Sequence, residues 1–372
     1  MTRVMQASTW SKSMIKLTMA AFLLGLTAVP ASARTLYSAY NGKGTTCSRS
    51  KPCFLAQTLK LAKPGDIIIM RDGTERGKYK TNVQGVTIQA ENEHKAVIDG
   101  SGSSAHAFEI RHSNTTLRGV SFVGNKKGRM VFVGPPGTAP IANITIERNK
   151  IVGSSAAGIQ VGSWGKTGAI TNVTIRHNYI EDVGSFQDPG EGIYVGAAPD
   201  KKDRKPVKNV KIYGNTVVFF SQNAVDLKEL TENVDIHHNH FIRQVKKPHH
   251  KKPGNEGTIA VDGKNHLIHS NVMQDLDPTF GPLYITPGRG HVIFGNIISG
   301  TKSGDAYRLK SGGKGKPTII RDNVWCDMNS KVAPKHPGLQ QENNLGLEKA
   351  SMTHEVCDEK AVKILEEMAA IQ

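Results

Sequence analysis
One short phrase recurs along this chain: alternating apolar residues followed closely by an asparagine. It appears as VSFVGN ending at Asn125, ITIERN at Asn149, VTIRHN at Asn178, VKIYGN at Asn215, VDIHHN at Asn239, HLIHSN at Asn271, VIFGN at Asn296 and IIRDN at Asn323. Steps between these asparagines run from 24 to 37 residues, which is the period of a solenoid whose repeats stack on one another. Asparagine suits a repeating corner because it tolerates left-handed backbone and its amide can bond both the backbone and the asparagine of the next coil. Such a chain buries its apolar faces coil against coil, so its open ends need covering.

The first residues read as an export leader. Arg3, Lys12 and Lys16 supply a positive segment, Leu17 to Val29 an apolar run, and Ala31-Ser32-Ala33 a small-residue cleavage site. Residues 1–33 are therefore expected to be a signal peptide, cut before Arg34. The apolar run is too short to span a bilayer, and no later segment is long and apolar enough to do so, so a secreted or periplasmic protein is expected. About 340 residues remain, and the uninterrupted repeat assigns them to one elongated domain. Residues 34–65 form its N-terminal cap, 66–326 the stacked coils, and 327–372 a C-terminal cap or tail. Pro52 and Pro64-Gly65 bracket a capping helix with Phe54, Leu55, Leu59 and Ala62 as its apolar stripe, and DEKAVKILEEMAAI in the tail has a helical pattern. The four cysteines allow three pairings, of which Cys47–Cys53 with Cys326–Cys357 staples each end locally.

The formal charge is +16, and removing Arg3, Lys12 and Lys16 leaves +13. A basic exported protein favours acidic partners: uronate polysaccharides, sulfated glycans, anionic envelope surfaces or nucleic acid.

A cysteine pair, a helix, KPGD, the strand IIIM and the turn Arg71-Asp72-Gly73-Thr74 follow one another in order. This resembles the start of secreted pectate lyases, and the later repeats are similar to the same pectin-lyase-like superfamily. The resemblance implies an all-β, single-domain right-handed parallel β-helix with three short strands per coil. It implies an acidic polysaccharide as partner, with no nucleic acid expected and a monomer. It does not select an activity, because the fold carries lyases, glycosidases, uronate epimerases, esterases and binding proteins.

The strands expected to line a groove are AFEIR, VFVGP, GIQVG, GIYVG, AVDLK, TIAVD, PLYIT and AYRLK. Side chains alternate across a strand, so one outward column reads Gln160, Tyr194, Asp226, Ala260, Tyr284 and Arg308. The neighbouring column reads Gly162, Gly196, Lys228, Asp262, Thr286 and Lys310. Lys228 then lies over Asp262, and the plain reading is a cross-strand salt bridge on a solvated face, which adds little. Against it stand the two tyrosines, a trough at Gly158, Gly162, Gly192 and Gly196, and long loops beside three successive coils.

Such a patch suits β-elimination on a uronate polymer, which needs the carboxylate neutralised and a base near carbon 5. A lysine serves as that base once neighbouring cations or burial lower its pKa. The resemblance implies Lys228 as base, calcium on Asp226 and Asp262, and Tyr194 or Tyr284 as donor to the leaving oxygen. Arg289, Arg308 and Lys310 would bind flanking carboxylates. Two carboxylates make a poor calcium site, so Glu191 or Glu256 is expected to join. The chain lacks the Trp-Ile-Asp-His run and the Arg-x-Pro-x-x-Arg segment of one large pectate lyase group, which leaves alginate, glycosaminoglycans or another acidic glycan open. A hydrolase or epimerase using Asp226 and Asp262 is the second reading. A glycan-binding β-helix is the third, with contacts from Lys246, Lys247, His249, His250, Lys251 and Lys252.

Overall fold
Successive coils contribute strands to three parallel sheets, which have 12, 9 and 10 strands among the described residues. The computed structural model describes residues 33–371 except 104, 126, 163–167, 185–189, 198–203, 245–256, 277–280, 300–306, 314, 327–334 and 345–353. Period-two alternation sends one side of every strand inward. In the 12-stranded sheet, Ile144 and Ile146 stack on Val173 and Ile175, then on Val210 and Ile212, then on Val234 and Ile236. All eight are buried. β-Branched side chains fill such columns well because each covers the same face of the coil beneath it.

The corner asparagines are a second, polar core. Asn149, Asn178, Asn215, Asn239, Asn271, Asn296 and Asn323 are all buried. Each side-chain carbonyl accepts from the backbone N–H of the preceding coil, as in Asn215 N to Asn239 Oδ1 at 3.0 Å. Each side-chain amide donates to the next asparagine, as in Asn239 Nδ2 to Asn271 Oδ1 at 2.9 Å. Two members differ from expectation. Asn125 stands at another corner, where it bonds the carbonyls of Ala105 and Arg129, because VSFVGN is a strand of the next sheet: its Ser121 pairs with Lys150, the residue after Asn149. Asn344 adds a further rung, accepting from Asn323.

Both expected disulfides are formed, Cys47–Cys53 and Cys326–Cys357. Helix α1 (Leu55–Leu61) places Leu55 and Leu59 in the main core, whereas Phe54 stays exposed just ahead of it. Helix α2 (His354–Ala370) packs Cys357, Ala361 and Ile364 against Val272, Ile297 and Val324. Among the described residues no helix is long and apolar enough to cross a membrane.

Candidate active site
The 9-stranded sheet carries the outward columns in the expected register. Gln160, Tyr194, Asp226, Ala260, Tyr284 and Arg308 pair in sequence along the stack. Backbone bonds from Lys228 N to Val195 O, Asp262 N to Leu227 O, Thr286 N to Val261 O and Lys310 N to Ile285 O carry the second column beside it.

The face is not the solvated one expected, since Asp226 and Asp262 are only 2% and 3% exposed. Nor does Lys228 bridge to Asp262. Its ammonium bonds Asp226 on its own strand, while Lys310 reaches back past Thr286 to hold Asp262. The Thr286 hydroxyl donates to the other Asp262 oxygen. A buried carboxylate needs a cation in contact, and the long lysine stems supply one to each. Each ammonium also lies over a tyrosine ring, Lys228 at 5.1 Å from the Tyr194 centroid and Lys310 at 4.7 Å from that of Tyr284, the geometry of cation–π attraction. The result is two alike sets, Tyr194–Lys228–Asp226 and Tyr284–Lys310–Asp262. The lysine side chains reach solvent, at 25% and 21% exposed, with the carboxylates behind them.

Burial pushes the Asp226 carboxyl up, and pushes Glu191 well up with the Asp226 charge adding to it. Burial opposes the charge on Lys228, but the attraction of Asp226, followed by Tyr194, outweighs it and the lysine holds its proton more tightly than usual. This corrects the expectation of a lowered lysine pKa. Burial also raises Tyr194, against the pull of Lys228. The resting site therefore presents an ammonium and a phenol, with the Glu191 carboxyl behind them pushed toward its neutral form by burial.

His266 braces both turns beneath the cluster, a role the sequence did not announce. Its Nδ1 accepts from Val234 N at 3.1 Å, and its Nε2 contacts the Asp262 carbonyl at 2.6 Å and Thr231 Oγ1 at 3.0 Å. Thr231 in turn donates to the Lys228 carbonyl. With Nδ1 accepting, the ring is neutral with its proton on Nε2, and burial lowers its pKa to about 4. A depressed histidine pKa gives stability that is present above 6.5 and lost as pH falls toward 4, about 3 kcal/mol for this one group. The thermal midpoint of the wild type is expected to fall more steeply from pH 6.5 to 4 than that of His266→Gln. Equal slopes would show that His266 takes its proton without cost.

The other expected site residues divide. Arg308 pairs in the column beside Tyr284. Arg289 is exposed on the turn after Ile285, and its charge bears on His291. Glu256 and the basic loop Lys246, Lys247, His249, His250, Lys251 and Lys252 lie outside the described residues. Gly158 and Gly192 do not form a trough: a side chain there would meet Ile180 at 2.8 Å and Val217 at 2.6 Å in the interior. Gly162 and Gly196 are fixed by backbone, with φ of 152° and 97° and the next coil at 2.2 Å and 2.5 Å from a notional Cβ.

Calcium takes six to eight oxygen ligands. Among the described residues no three His, Cys, Asp or Glu gather to hold an ion. Asp226 and Asp262 each give an oxygen to a lysine, and Glu191 is driven toward its neutral form. The described donors do not fit calcium.

Coil-by-coil parallel pairing, three sheets and a corner ladder define this chain as a right-handed parallel β-helix. Solved structures of that fold resemble it. An alginate lyase from Paenibacillus sp. str. FPU-7 is 16% identical, with a TM-score of 0.52 over 85% of this chain and 99% of that one. An endo-xylogalacturonan hydrolase from Aspergillus tubingensis is 11% identical, with a TM-score of 0.55 over 84% and 92%. A lacto-N-biosidase from Eubacterium ramulus is 11% identical, with a TM-score of 0.53 over 84% and 67%. At these identities the likeness is one of fold. No family model matches the sequence, nor does any curated protein.

Proposed function
We propose that the protein is an exported polysaccharide lyase that cleaves a uronate polymer by β-elimination. The observation that carries this reading is the pair of solvent-reaching ammoniums, each backed by a buried carboxylate and set over a tyrosine on neighbouring coils. The Lys310 ammonium pairs with the uronate carboxylate and stabilises the charge that develops there. Bound sugar expels water from Lys228, and a drier site favours the neutral lysine–carboxyl pair over the ion pair. Lys228 passes a proton to Asp226, whose affinity for one is already raised, and its free amine takes the proton from carbon 5. The electron pair forms the double bond between carbons 4 and 5 as the bond to the leaving oxygen breaks. Tyr194 donates its proton to that oxygen, Lys228 then reprotonates Tyr194, and Asp226 returns the first proton to Lys228.

No step uses calcium, because Lys310 already provides the positive charge. Activity is expected to survive a metal chelator, and a loss restored by added calcium would contradict the role given to Lys310. Hydrolysis by Asp226 and Asp262 is less well supported, since each carboxylate is engaged by a lysine rather than open to water. The test is ultraviolet absorbance of unsaturated uronate on alginate, pectate and glycosaminoglycans. Unsaturated product supports elimination, saturated product means hydrolysis, and binding without cleavage means a carbohydrate-binding protein.

A further inference from the structure
Asp66 lies where the coils begin, far along the chain from the site above, and is only 2% exposed. Its carboxylate is organised around Arg34. Oδ1 accepts from the Arg34 backbone nitrogen at 3.1 Å and from Nε at 3.2 Å, and Oδ2 accepts from Nη2 at 2.5 Å. Lys63 N adds a bond at 2.8 Å, and together these hold the Asp66 carboxyl below its ordinary range despite its burial. Arg34 is further tied by Nη2 to the Leu61 carbonyl at 3.1 Å and by its own carbonyl to Ile67 N at 2.9 Å. Ala33, one residue earlier, is exposed.

This anchor begins at the residue that the Ala31-Ser32-Ala33 pattern exposes by cleavage. We propose that the Ala33–Arg34 bond is the processing site and that hydrolysis there creates a binding partner for Asp66, the α-ammonium of Arg34. Water adds across the peptide bond, leaving a carboxylate on Ala33 and an amine on Arg34 that is protonated at neutral pH. A neutral amide donor to the Asp66 carboxylate thus becomes a cationic one, which adds an ion-pair attraction to the existing hydrogen bond. The leader-bearing chain keeps the weaker contact, so removal of the leader stabilises the first coil only after export. The proposal does not depend on the catalytic reading.

The experiment uses the full chain exported by a bacterial host with its own leader. Intact mass is expected to show a protein starting at Arg34, and a mature chain starting elsewhere overturns the proposal. Thermal unfolding then compares that protein with one starting at Ala33. The Arg34 form is expected to melt higher by roughly 2–4 °C at pH 7. Carboxylate contact raises the amine pKa above its free value of about 8, so the advantage is present below that pH and disappears as pH rises through the raised value. Equal midpoints at every pH overturn the lock. Asp66→Asn should remove the difference; where that variant does not fold, the Ala33 comparison decides alone, because it adds one exposed residue.

Discussion

Lys228→Arg is expected to lower elimination by about a thousandfold or more while leaving the thermal midpoint close to that of the wild type. Arginine keeps the positive charge that Asp226 requires and can lie over the Tyr194 ring, but it does not give up its proton in a protein. The variant therefore separates two roles that Lys228→Ala would remove together. Alanine would also strand the Asp226 carboxylate, already without a described partner on Oδ1, and that buried acid would take up a proton instead. If Lys228 acts only through charge, the arginine enzyme should keep more than about a tenth of kcat, and the base must be another group. KM should change little, since Lys310 holds the carboxylate. Single-turnover formation of unsaturated product at fixed pH is the measurement.

The largest loss of stability is expected from Asn239→Leu. The wild-type side chain accepts from Asn215 N and Asn215 Nδ2, both at 3.0 Å. It donates to the carbonyls of Ile212 and His237 and to Asn271 Oδ1, at 2.9, 3.0 and 2.9 Å. Leucine fills the volume but leaves these buried groups unmatched, each costing about 1–3 kcal/mol. A total above about 4 kcal/mol is expected, read as a fall in the urea midpoint. The surface offers a contrast. Asn172 joins an exposed chain of amides through Asn143 and Asn209 at a left-handed φ of 57°. Asn172→Gly keeps that backbone and is expected to cost less than about 1 kcal/mol. Similar losses at both positions would mean that the buried ladder is not what holds the coils together.

The coils were legible because their signal repeats. Alternation and the corner asparagine fixed the register of Tyr194, Asp226, Tyr284 and Arg308, and the same pattern misplaced Asn125 because VSFVGN has the composition of its neighbours while belonging to another sheet. Register says which backbones are adjacent; it does not say where a flexible side chain ends. Lys228 folds onto Asp226 rather than Asp262, and Lys310 spans two coils to reach its partner, choices set by burial and by competition for cations. His266 was hidden for a related reason. In HLIHSN it looks like one more polar residue at a strand start, and only the turn geometry brings its Nε2 onto the Asp262 carbonyl and, through Thr231, toward Lys228, while Nδ1 accepts from Val234 N.

The buried asparagines also share one orientation. Every side-chain amide from Asn149 to Asn323 donates toward the C-terminal neighbour and accepts from the N-terminal side. Seven aligned amide dipoles thus form a polarised wire along the axis, the side-chain counterpart of a helix macrodipole, in which each bond strengthens the next. Its positive end is closed by Asn344, which donates to the Ile320 carbonyl. A coil with any other residue at that corner would break the wire into two shorter pieces with new unpaired ends. A whole coil inserted between Asn149 and Asn323 is therefore expected to keep the wire intact only where it carries its own asparagine.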